Sequence, residues 1–150
     1  MKILHVEADA SIKSITRIVG GLRGIEFDGR YLPEEIYPTA ETSFATEEEL
    51  VGLLQAYQGA VLDWTTFGHE RIRGGSGSAL PQYLGAIQQS GYARRVIVVT
   101  TDIGTSVADK VREIHPPAEV FVKPYNLSDL LVTLGGKPLS CLGSLESKSL

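Results

Sequence analysis

Short apolar runs alternate with helix-patterned segments along this chain, about five times over. The clearest runs are Ile3-Leu4-His5-Val6, Ala60-Val61-Leu62, Val96-Ile97-Val98-Val99 and Val120-Phe121-Val122. Each is too short for a helix and apolar at consecutive positions, so each reads as a strand covered on both faces. Between them, apolar residues recur at helical spacing: Ile12, Ile15, Ile18, Val19 and Leu22, then Leu50, Val51, Leu53, Leu54 and Tyr57, and finally Leu127, Leu130, Leu131 and Leu134. Alternation of this kind predicts an α/β domain with a parallel sheet and helices on both of its faces. Right-handed crossovers leave few ways to connect it.

Local signals mark the element ends. Gly20, Gly21 and Gly24 punctuate the close of the first helix. Residues 24–41 are the least regular part and read as an extended loop, with a short strand expected near Thr42–Ala45. Thr46-Glu47-Glu48-Glu49 has the form of a capping box, with the acidic residues complementing the positive end of the helix dipole. Helices are expected over about 79–89 and 106–114, the second stopped by Pro116-Pro117. Arg71–Ser78 is basic and Gly-rich and reads as a flexible loop, and residues 136–150 read as a flexible tail.

Composition excludes several functions. A chain of 150 residues fits one domain of ordinary size. A net charge of −4 argues against a nucleic-acid partner, which calls for a basic field. One cysteine, Cys141, rules out an internal disulfide framework and a multi-cysteine metal site, and suits a reducing compartment. No apolar stretch reaches the ~18 residues a membrane-spanning helix needs. His5, Glu7 and Asp9 break the N-terminal apolar run, so it does not read as a secretory signal, and a cytoplasmic protein is expected.

The polar residues that close the strands carry the chemistry. Val6 leads to Glu7, Leu62 to Asp63, Val99 to Thr100 and Val122 to Lys123. In a parallel sheet all strand C-termini lie along one edge, where ligands bind. Two carboxylates, a hydroxyl and an ammonium are thus expected to converge from distant parts of the chain. Glu7 and Asp63 would repel unless a cation joined them, and a small set of oxygen ligands favours Mg2+. The set suits a group bearing several anionic oxygens, with Asp63 able to act as a nucleophile that forms an acyl phosphate. His5 reads as a core histidine, and neither His69 nor His115 has the spacing of a zinc site. An acidic first turn, Glu7-Ala8-Asp9, argues against a cofactor phosphate bound after the first strand.

Four segments in register resemble the response-regulator receiver domain of two-component signalling. They are Lys2-Ile3-Leu4-His5-Val6-Glu7-Ala8-Asp9, Val61-Leu62-Asp63-Trp64-Thr65-Thr66-Phe67-Gly68, Ile97-Val98-Val99-Thr100-Thr101 and Phe121-Val122-Lys123-Pro124. The resemblance covers about residues 1–135 and implies a three-layer (βα)5 fold, doubly wound, with a five-stranded parallel sheet in the order 2-1-3-4-5. It implies that Asp63 is the phospho-acceptor, with Thr100 and Lys123 facing the phosphoryl group. It assigns Glu7, Asp63 and the backbone carbonyl of Thr65 to Mg2+, and a cis bond to Lys123–Pro124. The partners it implies are a sensor histidine kinase or a histidine phosphotransfer protein, and a downstream protein target. Members of the family often pair through the face of the fourth helix, last strand and fifth helix, which leaves a homodimer open. Such a chain is not a conventional enzyme, since its chemistry is its own phosphoryl uptake and loss.

The chain departs from the family pattern at several positions. Ala8 stands where a second acidic metal ligand is usual, and a methyl group cannot ligate Mg2+; Asp9 is expected to cap the first helix instead. Val120 stands where many receivers carry an aromatic switch residue, and Phe121 should point to the opposite sheet face. Phe67 replaces a usual proline, and residues 24–41 and 69–78 read as insertions. Ala8 and Val120 favour the alternative of a pseudo-receiver, a phosphorylation-independent interaction module.

Overall fold

The computed structural model describes residues 1–30, 46–67 and 78–136. Five strands and five helices alternate in it: β1 (Lys2–Val6), α1 (Ala10–Leu22), β2 (Glu26–Arg30), α2 (Glu47–Leu54), β3 (Gly59–Asp63), α3 (Leu80–Ser90), β4 (Arg95–Thr100), α4 (Ser106–Ile114), β5 (Glu119–Val122) and α5 (Leu127–Thr133). The strands form one sheet in the order β2-β1-β3-β4-β5, and every neighbouring pair is parallel. This is the doubly wound α/β topology expected from the alternation, with the strand order the resemblance implies.

Strand side chains alternate between two cores. On one face Leu4, Val6, Ala60, Leu62, Val96 and Val98 meet Leu50 and Leu54 of α2, Leu80, Leu84 and Ile87 of α3, and Val111 of α4. On the other, Ile3, Val61, Ile97 and Val99 meet Leu130 and Leu131 of α5, with Val19 of α1 packed against them. Burial on both sides explains why β3 and β4 are apolar at consecutive positions and why β1 is interrupted only by the buried His5. Val120 packs with the first core and Phe121 with the second, the opposite orientations expected of neighbours in a strand.

Helix starts follow the capping signals. The Asp9 carboxylate accepts from the backbone N–H groups of Ser11 at 2.8 Å and Ile12 at 3.0 Å, closing the N-terminus of α1. The Thr46 hydroxyl accepts from Glu49 N–H at 3.2 Å at the start of α2. At the other end of α3, Gly91 takes φ 75°, a left-handed conformation glycine adopts without steric cost.

Two expectations need correction. The second strand lies at Glu26–Arg30, inside the stretch read as loop; the strand expected near Thr42–Ala45 falls outside the described residues. As an edge strand with one neighbour, β2 has no continuous apolar run: Phe27 is buried, Glu26 exposed and Asp28 half-buried. The apolar face assigned to α1 also divides. Ile15, Ile18 and Leu22 are exposed, while Thr16 and Gly20 are the buried positions. The cause is close approach: a Cβ at Gly20 would sit 2.5 Å from the Phe27 ring, so α1 comes down on β2 at Gly20.

The expected loop at 71–78 lies outside the described residues apart from Ser78, and the tail apart from Gly136. Among the described residues no helix is long and apolar enough to cross a membrane.

Candidate phosphoryl-acceptor site

Register brings the four strand-ending residues to one edge. Asp63 closes β3 opposite Val99, and Thr100 closes β4 opposite Val122. Three backbone bonds carry the pairing just past the strand ends: Glu7 N–H donates to Arg30 at 3.0 Å, Trp64 N–H to Val99 at 2.8 Å and Lys123 N–H to Thr100 at 2.7 Å. Glu7, Asp63 and Thr100 are each buried, at 3%, 4% and 2% exposure.

Lys123 draws the acids together. Its Nζ donates to Glu7 Oε1 at 2.7 Å and lies 3.0 Å from Asp63 Oδ1. The second contact is an ion pair without hydrogen-bond alignment, and Asp63 Oδ1 accepts no hydrogen bond among the described residues. Burial alone would lower the pKa of Lys123, but its contacts with Glu7 and Asp63 outweigh that and hold it above its ordinary value. The bond between Lys123 and Pro124 is cis, as the resemblance implies.

Thr66 is the site residue that sequence reading missed. Its backbone N–H and its hydroxyl both donate to Asp63 Oδ2, at 2.9 and 2.7 Å. The same hydroxyl accepts from Ala8 N–H at 3.0 Å. The sequence alone does not distinguish Thr66 from its neighbour, because only the turn after β3 shows that this threonine, rather than Thr65, folds back on Asp63. Thr65 is exposed in that turn, Glu7 Oε2 accepts from Asp9 N–H at 3.2 Å, and Thr100 Oγ1 accepts from Asp102 N–H at 3.0 Å.

His5 lies beneath the acids. It is 1% exposed, meets Phe27 edge-on at 5.7 Å between ring centroids, and its Nδ1 has no hydrogen bond among the described residues. Burial pushes its pKa down to about 4, Asp63 opposes the shift, and Lys123 and Lys13 reinforce it. It is the core histidine the sequence suggests. His115 is likewise buried, with Nδ1 at 2.5 Å from Gln88 Oε1.

Mg2+ takes one or two carboxylates and keeps several waters. Glu7 and Asp63 supply two carboxylates that converge on one nitrogen, the hard oxygen donors that Mg2+ prefers. The residues therefore fit a water-rich Mg2+ site. Position 8 adds only a methyl group, and no group of three or more His, Cys, Asp or Glu side chains that could hold a metal occurs among the described residues.

No protein-family profile and no curated protein matches the chain by sequence. Solved structures match it by fold. The BeF3-activated N-terminal receiver domain of RstA from Klebsiella pneumoniae superposes with a TM-score of 0.63 at 12% identity, covering 90% of this chain and 96% of that one. A response-regulator receiver domain from Francisella gives 0.59 at 14% identity, covering 89% and 93%. The chemotaxis protein CheY4 of Vibrio cholerae gives 0.58 at 16% identity, covering 89% and 95%. The fold of this chain is thus the receiver fold of response regulators.

Proposed function

With the receiver fold as the starting point, we propose that the chain is a phosphoryl-accepting receiver. Asp63 takes a phosphoryl group from a phosphohistidine of a sensor histidine kinase or histidine phosphotransfer protein, and the modified chain signals by protein–protein contact. The observation that carries this reading is the bridge made by Lys123, whose Nζ lies 2.7 Å from Glu7 Oε1 and 3.0 Å from Asp63 Oδ1. A buried nucleophilic carboxylate, a fixed ammonium beside it and a buried hydroxyl on the next strand are the parts that transfer of an anionic group requires.

In the transfer, Asp63 attacks phosphorus, the phosphorus–nitrogen bond of the phosphohistidine breaks, and its electron pair returns to the imidazole. Lys123 keeps the attacking carboxylate in place and offers positive charge to the incoming oxygens. The Thr100 hydroxyl already accepts from Asp102 N–H, which leaves its own proton to donate to a phosphoryl oxygen. Glu7, Asp63 and the Thr65 carbonyl would hold Mg2+, which when bound supplies further neutralisation of phosphoryl charge. The BeF3 activation of the Klebsiella domain supports the reading, since a fluoroberyllate on a carboxylate is tetrahedral like a phosphoryl group.

Intact-mass spectrometry after incubation with acetyl phosphate or phosphoramidate and Mg2+ tests it. One added phosphoryl group is expected, absent from Asp63→Asn. An unchanged mass in the native chain would reject the reading and leave the fold as an interaction module.

A further inference from the structure

The two oxygens of Asp63 are held differently. Oδ2 receives two hydrogen bonds from Thr66, while Oδ1 receives none and faces the Lys123 ammonium at 3.0 Å. A backbone N–H on the third residue after an acidic side chain is an ordinary turn contact that most residue types could make. The hydroxyl is different. A threonine hydroxyl has one proton to give and lone pairs to accept. Here Ala8 N–H occupies the accepting side at 3.0 Å, so the proton points to Asp63. Thr66 is 6% exposed, so the arrangement is shielded from competing water.

We propose that Thr66 is a positioning residue that locks the Asp63 carboxylate, with Oδ2 as the restrained oxygen and Oδ1 as the attacking atom, and that ties the chemical state of Asp63 to the backbone at Ala8. The proposal rests on the phosphoryl-acceptor reading and deepens it. With acetyl phosphate, a lone pair on Oδ1 attacks phosphorus and the bond from phosphorus to the acetyl oxygen breaks. Its electron pair leaves with acetate, so atoms and charge balance. Oδ2 then becomes the carbonyl oxygen of an acyl phosphate. A neutral carbonyl is a weaker acceptor than a carboxylate, so both bonds from Thr66 loosen, and Ala8, joined to the same hydroxyl, registers the change. Ala8 leads through the Asp9 cap directly into α1.

Thr66→Val removes the hydroxyl at nearly constant shape, and Thr66→Ser restores it. With acetyl phosphate and Mg2+, the valine variant is expected to gain mass about tenfold more slowly than the native chain, the loss of one charge-assisted hydrogen bond. The serine variant is expected within about twofold of native. The Ala8 amide resonance provides a readout that needs no phosphorylation: Asp63→Asn should shift it in the native background and leave it still in the Thr66→Val background. Equal rates for native and valine chains, or no rescue by serine, overturn the proposal. A native chain that takes up no phosphoryl group refutes the acceptor reading instead, and the link to Ala8 is then decided by the amide alone. An Ala8 resonance that ignores Asp63→Asn in the native background overturns it.

Discussion

Replacing Lys123 with methionine removes the cation from between two buried carboxylates while keeping most of the side chain's length. In the native structure Nζ lies 2.7 Å from Glu7 Oε1 and 3.0 Å from Asp63 Oδ1. At an effective dielectric constant of about 20, each contact is worth about 6 kcal/mol of Coulomb attraction. Desolvation of three charged groups and the repulsion between the acids offset most of that. Removing one partner of a buried ion pair costs about 3–5 kcal/mol, because the remaining charge is left without a counter-ion. That is a large share of the ~5–15 kcal/mol by which a domain is stable, yet it leaves a folded population to measure. The direction with pH is fixed as well. In the native chain the pKa of Lys123 is raised, so its contribution is complete below the ordinary value of 10.5 and is lost only as pH rises through the higher folded value. Urea unfolding followed by Trp64, the sole tryptophan, reads both effects. A variant within about 1 kcal/mol of native at pH 7.5, well short of the range above, would refute the reasoning. The double variant Lys123→Met, Glu7→Gln should recover part of the loss, because one acid no longer faces the other.

Other consequences can be measured separately. His5 has a pKa lowered from 6.5 to about 4, so its folded form binds fewer protons than the unfolded chain. Its contribution is therefore full above pH 6.5 and lost as pH falls toward 4, about 3 kcal/mol in all; His5→Phe should flatten the native stability curve over that window, and an unchanged slope contradicts it. If Glu7 and Asp63 hold Mg2+ as proposed, Ala8→Asp adds a carboxylate next to Glu7 and should tighten Mg2+ binding by about tenfold or more, read from Trp64 fluorescence during titration; equal affinity would show that position 8 does not face the ion. Gly20→Ala puts a methyl carbon where the Phe27 ring stands, so thermal unfolding should show a loss of about 1–3 kcal/mol, and native-like melting would mean that α1 lifts off β2 at little cost.

What was legible in the sequence followed from burial on both sides of the sheet. β1, β3 and β4 are covered above and below, so they are apolar almost throughout, with His5 the one polar residue inside a run, and the polar residues that end them stand out. Glu7, Asp63, Thr100 and Lys123 could be placed on one edge from parallel pairing alone. Features that depend on a single close contact could not. β2 has one neighbour and carries charge at Glu26, Asp28 and Arg30, so it lacked the signal that marked the others. The inward face of α1 is set by the fit of Gly20 against Phe27, whereas hydrophobic spacing favoured Ile15, Ile18 and Leu22, which lie outside. Thr66 and Thr65 are the same residue type side by side, and only the turn decides which of them reaches Asp63.

The ion pair between Glu7 and Lys123 spans 116 positions of the chain. A ribosome must therefore have delivered β5 before the acids on β1 and β3 acquire their counter-ion, and any fragment that stops short of Lys123 keeps the acids without the ammonium. Under the proposed reading, chemistry at Asp63 is licensed by completion of the sheet: an unfinished or clipped chain would carry the acceptor carboxylate without the ammonium beside it.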